Sequence, residues 1–114
     1  MNNSGKSGES AASQYLVAKG YTVRKSNFSC RYGEIDVIAS DGTYIVFVEV
    51  KTRAPHSLVS GAQSVTANKQ LRIKRTAEMY LQQHTTGLQP RFDVIEVEHE
   101  KGRYNIVSHL ENAF

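Results

Sequence analysis

A single cysteine, Cys30, excludes an internal disulfide and any metal site built from several thiolates, and makes a reducing, intracellular setting the expectation. No apolar run is long enough to span a bilayer, and the polar opening from Met1 to Lys6 lacks a signal-peptide core. A cytoplasmic location away from membranes is therefore expected. A glycine-rich phosphate loop and a nucleophilic serine motif are both missing. The histidines, His56, His84, His99 and His109, are scattered near loops and turns with no pair at helical metal-ligand spacing, so each is read as solvent-exposed. No repeat, low-complexity segment or second domain interrupts the chain.

What is present is an ordinary globular composition. With 114 residues, 39% hydrophobic and 22% charged, the chain is long enough for one core and is read as one domain over 1–114, with 1–6 flexible. A net charge of +3 hints at a polyanionic partner without requiring one.

Spacing predicts a first helix from about Gly8 to Lys19, capped by Ser7 and ended by Gly20. Ala12, Tyr15, Leu16 and Lys19 form its apolar stripe, and Glu9 falls on the same side. Two accounts of Glu9 stand: a first-turn acid favoured by the helix dipole, or an acid aimed at charges elsewhere. Periodicity alone favours the first. Tyr21–Lys25 reads as a strand and Ser26–Tyr32 as less regular. A long helix is expected from about Val65 to Gln83, capped by Ser64 or Thr66, after a loop containing Gly61. Ala67, Ile73, Ala77, Tyr80 and Leu81 form its buried arc, Lys69 lies at the rim, and Lys74 falls inside the arc and must snorkel. Arg91–Glu98 and Arg103–Val107 follow as strands around a turn at His99–Gly102.

Between the helices, Gly33–Ala39 and Tyr44–Lys51 read as two strands of a hairpin. Asp41-Gly42 suits a two-residue type I′ turn, which sets Ser40 opposite Thr43 and Asp36 opposite Phe47. Alternation then places Asp36, Phe47, Glu49 and Lys51 on one face, with Glu49 diagonal to Asp36 and Val46, Val48 and Val50 on the other. A strand apolar on both faces is usually central in its sheet.

Charges among Val, Ile and Phe are unfavourable unless paired or coordinated to an ion. Two carboxylates offer hard oxygen ligands for Mg²⁺ or Mn²⁺, and the main-chain carbonyl of Val50 could add another. Such an ion neutralises a phosphodiester and lowers the pKa of a bound water, while Lys51 would orient that water or help deprotonate it. The same residues also fit a buried Glu49–Lys51 pair or an edge salt bridge with no catalytic role. Arg53, Lys69, Arg72 and Arg75 are candidate phosphate contacts, or simply solvated charges. Cys30 has no paired base nearby and is read as inert.

Several blocks together resemble a known family: Gly8-Glu9, Ala11-Ala12, Tyr15-Leu16, Lys19-Gly20-Tyr21, Gly33-Glu34-Ile35-Asp36-Val37-Ile38-Ala39, Val46-Phe47-Val48-Glu49-Val50-Lys51-Thr52-Arg53, Lys69, Arg91-Phe92-Asp93-Val94 and Glu111-Asn112-Ala113-Phe114. They resemble the bacterial YraN family, endonuclease-like proteins similar to archaeal Holliday junction resolvases and to the PD-(D/E)XK nuclease superfamily. The resemblance implies an α/β fold of the restriction-endonuclease type, a mixed β-sheet flanked by helices. It implies catalytic roles for Asp36, Glu49 and Lys51 and promotes Glu9 to a further metal ligand, which reverses the preference above. It further implies a metal-dependent nuclease acting on DNA more readily than RNA, on branched or structured forms. The alternative is a nucleic-acid-binding or partner-recruiting module with this fold and little activity alone. Resolvases act as dimers, and a chain this small has little room for two duplexes, so a homodimer is a working hypothesis.

Overall fold

The computed structural model describes residues 4–55 and 65–114; the expected loop around Gly61, with His56 and the alternative cap Ser64, lies outside them. In chain order the elements are α1 (Ser4–Ala18), β1 (Thr22–Cys30), β2 (Gly33–Ser40), β3 (Tyr44–Arg53), α2 (Ala67–Gln83), β4 (Gln89–Glu100) and β5 (Arg103–Leu110). The strands form one sheet in the order β1-β2-β3-β4-β5. Every neighbouring pair is antiparallel except β3–β4, which is parallel and is bridged by the α2 crossover. This is the expected mixed sheet flanked by helices, of the restriction-endonuclease type.

Alternation explains the layers. Ala12 and Leu16 of α1 pack on Val37, Ala39, Val46, Val48, Ile95 and Val97. On the other face, Ile73, Ala77 and Tyr80 of α2 pack on Ile38, Ile45, Phe47 and Val94. The central strand β3 is thus apolar on both faces, as its sequence predicts. No described helix is long and apolar enough to cross a membrane.

Several boundaries differ from the sequence reading. Helix α1 begins at Ser4, so Ser7 lies inside it instead of capping it, and residues 4–6 belong to a helix. The helix has no acid in its first turn, which removes the dipole account of Glu9. Gly20, at φ 99, takes the left-handed conformation expected just past the helix end. Strand β1 runs on through Ser26 to Cys30 of the segment read as less regular, although Asn27 takes a left-handed φ of 54°, and Arg31-Tyr32 form a turn. In α2, Thr66 is the N-cap and its side chain accepts from the Lys69 N–H at 3.2 Å. Ala67 is exposed and leaves the buried arc, which gains Thr76. Lys74 does snorkel, with its Nζ 5.8 Å and 5.9 Å from the ring centres of Phe92 and Phe114.

The hairpin turn is displaced by one residue. Asp41 Oδ1 accepts from the N–H groups of Thr43 at 2.8 Å and Tyr44 at 2.7 Å, so Asp41 leaves the tip, which becomes Gly42-Thr43. The pairing is Ser40↔Ile45 and Ile38↔Phe47, and Asp36 therefore does not face Phe47. A shift of two in pairing keeps every side chain on its face.

His109 also differs from expectation. Strand β5 runs on to Leu110 and turns this histidine inward, where its side chain is only 5% exposed. Its Nε2 lies 2.7 Å from Asp93 Oδ2, and its Nδ1 lies 2.9 Å from the Tyr15 hydroxyl of α1. Asp93 also accepts two bonds from Arg91, at 2.9 and 2.8 Å, and one from the Asn112 N–H at 3.0 Å. These bonds outweigh the effect of burial and hold the Asp93 carboxyl below its usual range. Arg91 in turn donates to the Tyr21 hydroxyl at 2.7 Å and lies over the Tyr44 ring. His99 stacks on Tyr104 and is half-buried, whereas His84 is exposed as predicted.

Candidate functional site

Strands β2 and β3 pair from Ser40↔Ile45 to Val37↔Val48. Beyond that point β2 continues beside β1 to Gly33, while β3 continues beside β4 to Arg53↔Glu98. Asp36 and Glu49 are the first residues past the divergence. There the Asp36 side chain substitutes for a strand partner, and its Oδ2 accepts from the Val50 N–H at 2.8 Å. The neighbouring strand is irregular at the same level, because Asn27 lies between the partners of Ile35 and Val37. Ile35 and Val37 fall in opposite core clusters although two residues apart, so β2 twists sharply at Asp36. That twist lets Asp36 meet groups from both layers.

From the α1 layer comes Glu9. Gly8 packs so closely on Thr52 that a Cβ there would overlap the Thr52 Oγ1. This close approach sets the start of α1 against β3 and brings Glu9 to the divergence. Carboxylate oxygens of Glu9, Glu34 and Asp36 all lie within 4.8 Å of one another. Glu34 is absent from the sequence-predicted set; it lies two residues before Asp36 on β2, and its carboxylate joins the group across the twist there.

From the α2 layer comes Lys69. Its Nζ lies 2.7 Å from Glu49 Oε1, and Lys51 Nζ reaches the same oxygen at 3.4 Å. Glu49 is only 5% exposed, against 42% for Lys69 and 25% for Lys51. Burial and the adjacent Lys69 ammonium depress the Lys51 pKa. Burial also opposes the charge of Lys69, but the Glu49 bond outweighs it and the Lys69 pKa is raised. Asp36 experiences the reverse. Burial first, then the Glu49 and Glu9 charges, push its carboxyl up to about 8, against the opposing bond from Val50 N–H.

A cavity of about 360 Å³ opens here, lined by Glu34, Asp36, Glu49, Lys69 and Arg72 with Ile73 behind them. Of the sequence-predicted residues, Glu9, Asp36, Glu49, Lys51, Val50, Lys69 and Arg72 are therefore brought together. Arg53 instead bridges to buried Glu96 at 2.6 Å, and Arg75 lies apart, in a hollow with Tyr32 and Glu78. Cys30 lies beside the Thr76 hydroxyl, 3.8 Å away, outside the acidic group. The arrangement concentrates oxygen donors around a partly buried acid, beside a basic rim that suits phosphate.

A family model described as "Uncharacterised protein family UPF0102" matches residues 8–97, a span that holds every residue of this site. The chain is similar to the UPF0102 protein of Pelotomaculum thermopropionicum, 41% identical over 112 residues, covering 96% of this chain and 93% of that one. It is 43% identical over 113 residues to the UPF0102 protein of Caldanaerobacter subterraneus subsp. tengcongensis, with 96% and 93% covered. To that of Symbiobacterium thermophilum it is 47% identical over 95 residues, with 82% and 80% covered.

Proposed function

The chain belongs to the UPF0102 family, and from the site its fold assembles we propose that it is a metal-dependent nuclease hydrolysing phosphodiester bonds of DNA. One observation carries the reading: Glu9, Glu34 and Asp36 converge within 4.8 Å at the point where β2 and β3 diverge, with Glu49 the first residue of β3 past it. Burial first, and then the Glu49 and Glu9 charges, disfavour ionisation of Asp36 and push its carboxyl up to about 8, and a hard divalent cation would offset both. The donor set therefore fits Mg²⁺ or Mn²⁺, held by Asp36, Glu49 and Glu9. When bound, the ion would supply charge neutralisation at the phosphodiester and a more acidic water.

The protein's own groups do the rest. Lys51, with its depressed pKa, is suited to orient a water or take its proton. Arg72 on the cavity rim is suited to hold a phosphate oxygen. Arg53, at the end of β3, is paired with Glu96 of β4. Branched or structured DNA is the favoured substrate, with a homodimer supplying the second duplex contact.

The test is incubation with labelled linear, flapped and four-way DNA plus Mg²⁺ or Mn²⁺. Cleavage by the parent, lost in Glu49→Ala and Lys51→Ala, is the expected result. No cleavage of any substrate, or equal cleavage by the variants, rejects it. A second reading, a binding module without activity, draws on the ion pair that already satisfies Glu49 through Lys69. It requires salt-dependent DNA binding that persists in EDTA and in Glu49→Ala.

A further inference from the structure

Lys69 reaches Glu49 from a different layer of the molecule, and that connection has a use. The lysine is fixed at the start of α2, where the Thr66 cap accepts its backbone N–H at 3.2 Å. Its ammonium lies 2.7 Å from Oε1 of the nearly fully buried Glu49 side chain, an oxygen already approached by Lys51 at 3.4 Å. Two ammonium groups thus converge on one carboxylate oxygen, while Asp36, Glu34 and Glu9 on the other side carry an excess of acid. Half-exposed, with its head toward the cavity, Lys69 can swing outward without disturbing the core.

We propose that Lys69 is the internal counter-ion of the site, a positioning residue that holds Glu49 in the metal-free protein and yields it to a divalent cation. The inference rests on the metal-site reading above and adds a competition to it. In the metal-free state Lys69 neutralises a carboxylate that would otherwise face Asp36 with only the more distant Lys51 to screen it. With a divalent cation held by Glu49, the Lys69–Glu49 bond would be given up and the ammonium would be free within the cavity that Arg72 also lines. Metal affinity is then lowered by the free energy of that bond, and the lysine is released where a phosphate oxygen would lie. Its role differs from that of Lys51, which shares a strand with Glu49 and cannot leave its neighbourhood.

Mn²⁺ titration calorimetry on the full chain tests this, with no dependence on cleavage. Lys69→Met is expected to bind Mn²⁺ about tenfold more tightly than the parent, a change of about 1.4 kcal/mol. In EDTA the same variant should melt lower, because Glu49 has lost its closest cation. Lys69→Arg restores the charge at the same place and should return the affinity toward the parental value. Equal Mn²⁺ affinity in the parent and Lys69→Met, with both folded by circular dichroism, overturns the counter-ion role and leaves the metal site standing. Absence of Mn²⁺ heat in both proteins overturns the metal site and this inference together. A Lys69→Met chain that fails to fold leaves the decision to Lys69→Gln, read in the same titration.

Discussion

Asp93 and Asp36 are aspartates on strands of the same sheet, and their surroundings are opposite. Asp93 is fully buried and meets Arg91 twice, His109 and the Asn112 N–H, all between 2.7 and 3.0 Å. Asp36 meets one N–H and a crowd of other acids. The first carboxyl is held low and the second is pushed up to about 8. A buried charge whose lone pairs are all answered ties elements together, here α1, β4, β5 and the chain end. A partly buried acid surrounded by acids is a poor way to hold a fold, and its arrangement makes sense as a place for a cation.

The largest expected effect comes from breaking the satisfied region. Asp93→Ala leaves Arg91, 8% exposed, with only the exposed Glu111 carboxylate at 3.6 Å, and should cost about 3–5 kcal/mol in urea unfolding. Loss of stability below 1 kcal/mol would show that the Arg91 network is not the anchor described. Next is the unsatisfied region, where the sign reverses. In EDTA, Asp36→Asn should stabilise the protein by about 0.5–2 kcal/mol, because it removes a repelled acid. A lower melting point for Asp36→Asn would mean that the acid is structural after all.

The two aspartates also predict opposite pH dependences. The folded pKa of Asp36 lies above its ordinary value of 3.8, so the folded state holds the proton longer. Its contribution to stability is complete below 3.8 and is lost as pH rises toward about 8. The advantage of Asp36→Asn over the parent should therefore grow from acid to neutral pH and level off above about 8. Asp93 is depressed, so its contribution is complete above 3.8 and is lost as the pH falls below that value. Melting curves of both proteins from pH 4 to 9 measure the first trend, and acid unfolding measures the second. A flat difference between parent and Asp36→Asn across neutral pH would contradict the placement of Asp36 among carboxylates.

The charges of the unsatisfied region were visible in sequence because acids stand out in β-branched strands, and alternation alone put Asp36, Glu49 and Lys51 on one face. What alternation could not supply was the register. Asp41 moved the turn with its side chain, a local choice between backbone and carboxylate acceptors that Asp-Gly statistics do not resolve. The twist at Asp36 was equally hidden, because it arises with the left-handed Asn27 on a neighbouring strand. The satisfied region was less legible. Arg91 and Asp93 are close in sequence, but His109 joins them from 16 residues away and Tyr15 joins His109 from 94. A strand ending at Val107 places His109 outside the sheet and in solvent, whereas β5 runs on to Leu110. Long-range hydrogen bonds between unlike elements leave no periodic trace in a sequence.

Helix α1 joins the two regions, since it carries Glu9 to the acidic group and Tyr15 to His109. Six residues of helix separate them by about 9 Å along the axis. Tyr15→Phe asks whether they are coupled. The ring remains to pack edge-on against His109 while the 2.9 Å bond is lost, which should cost about 0.5–1.5 kcal/mol. Glu9 should keep its place, because the close approach of Gly8 to Thr52 fixes the helix start independently of Tyr15. Mn²⁺ affinity should then match the parent, and the stability change should add to that of Asp36→Asn within about 0.5 kcal/mol. A several-fold loss of Mn²⁺ affinity in Tyr15→Phe would show instead that α1 transmits the order of the Asp93 region to the acidic one, and that the contrast between them is two ends of one device.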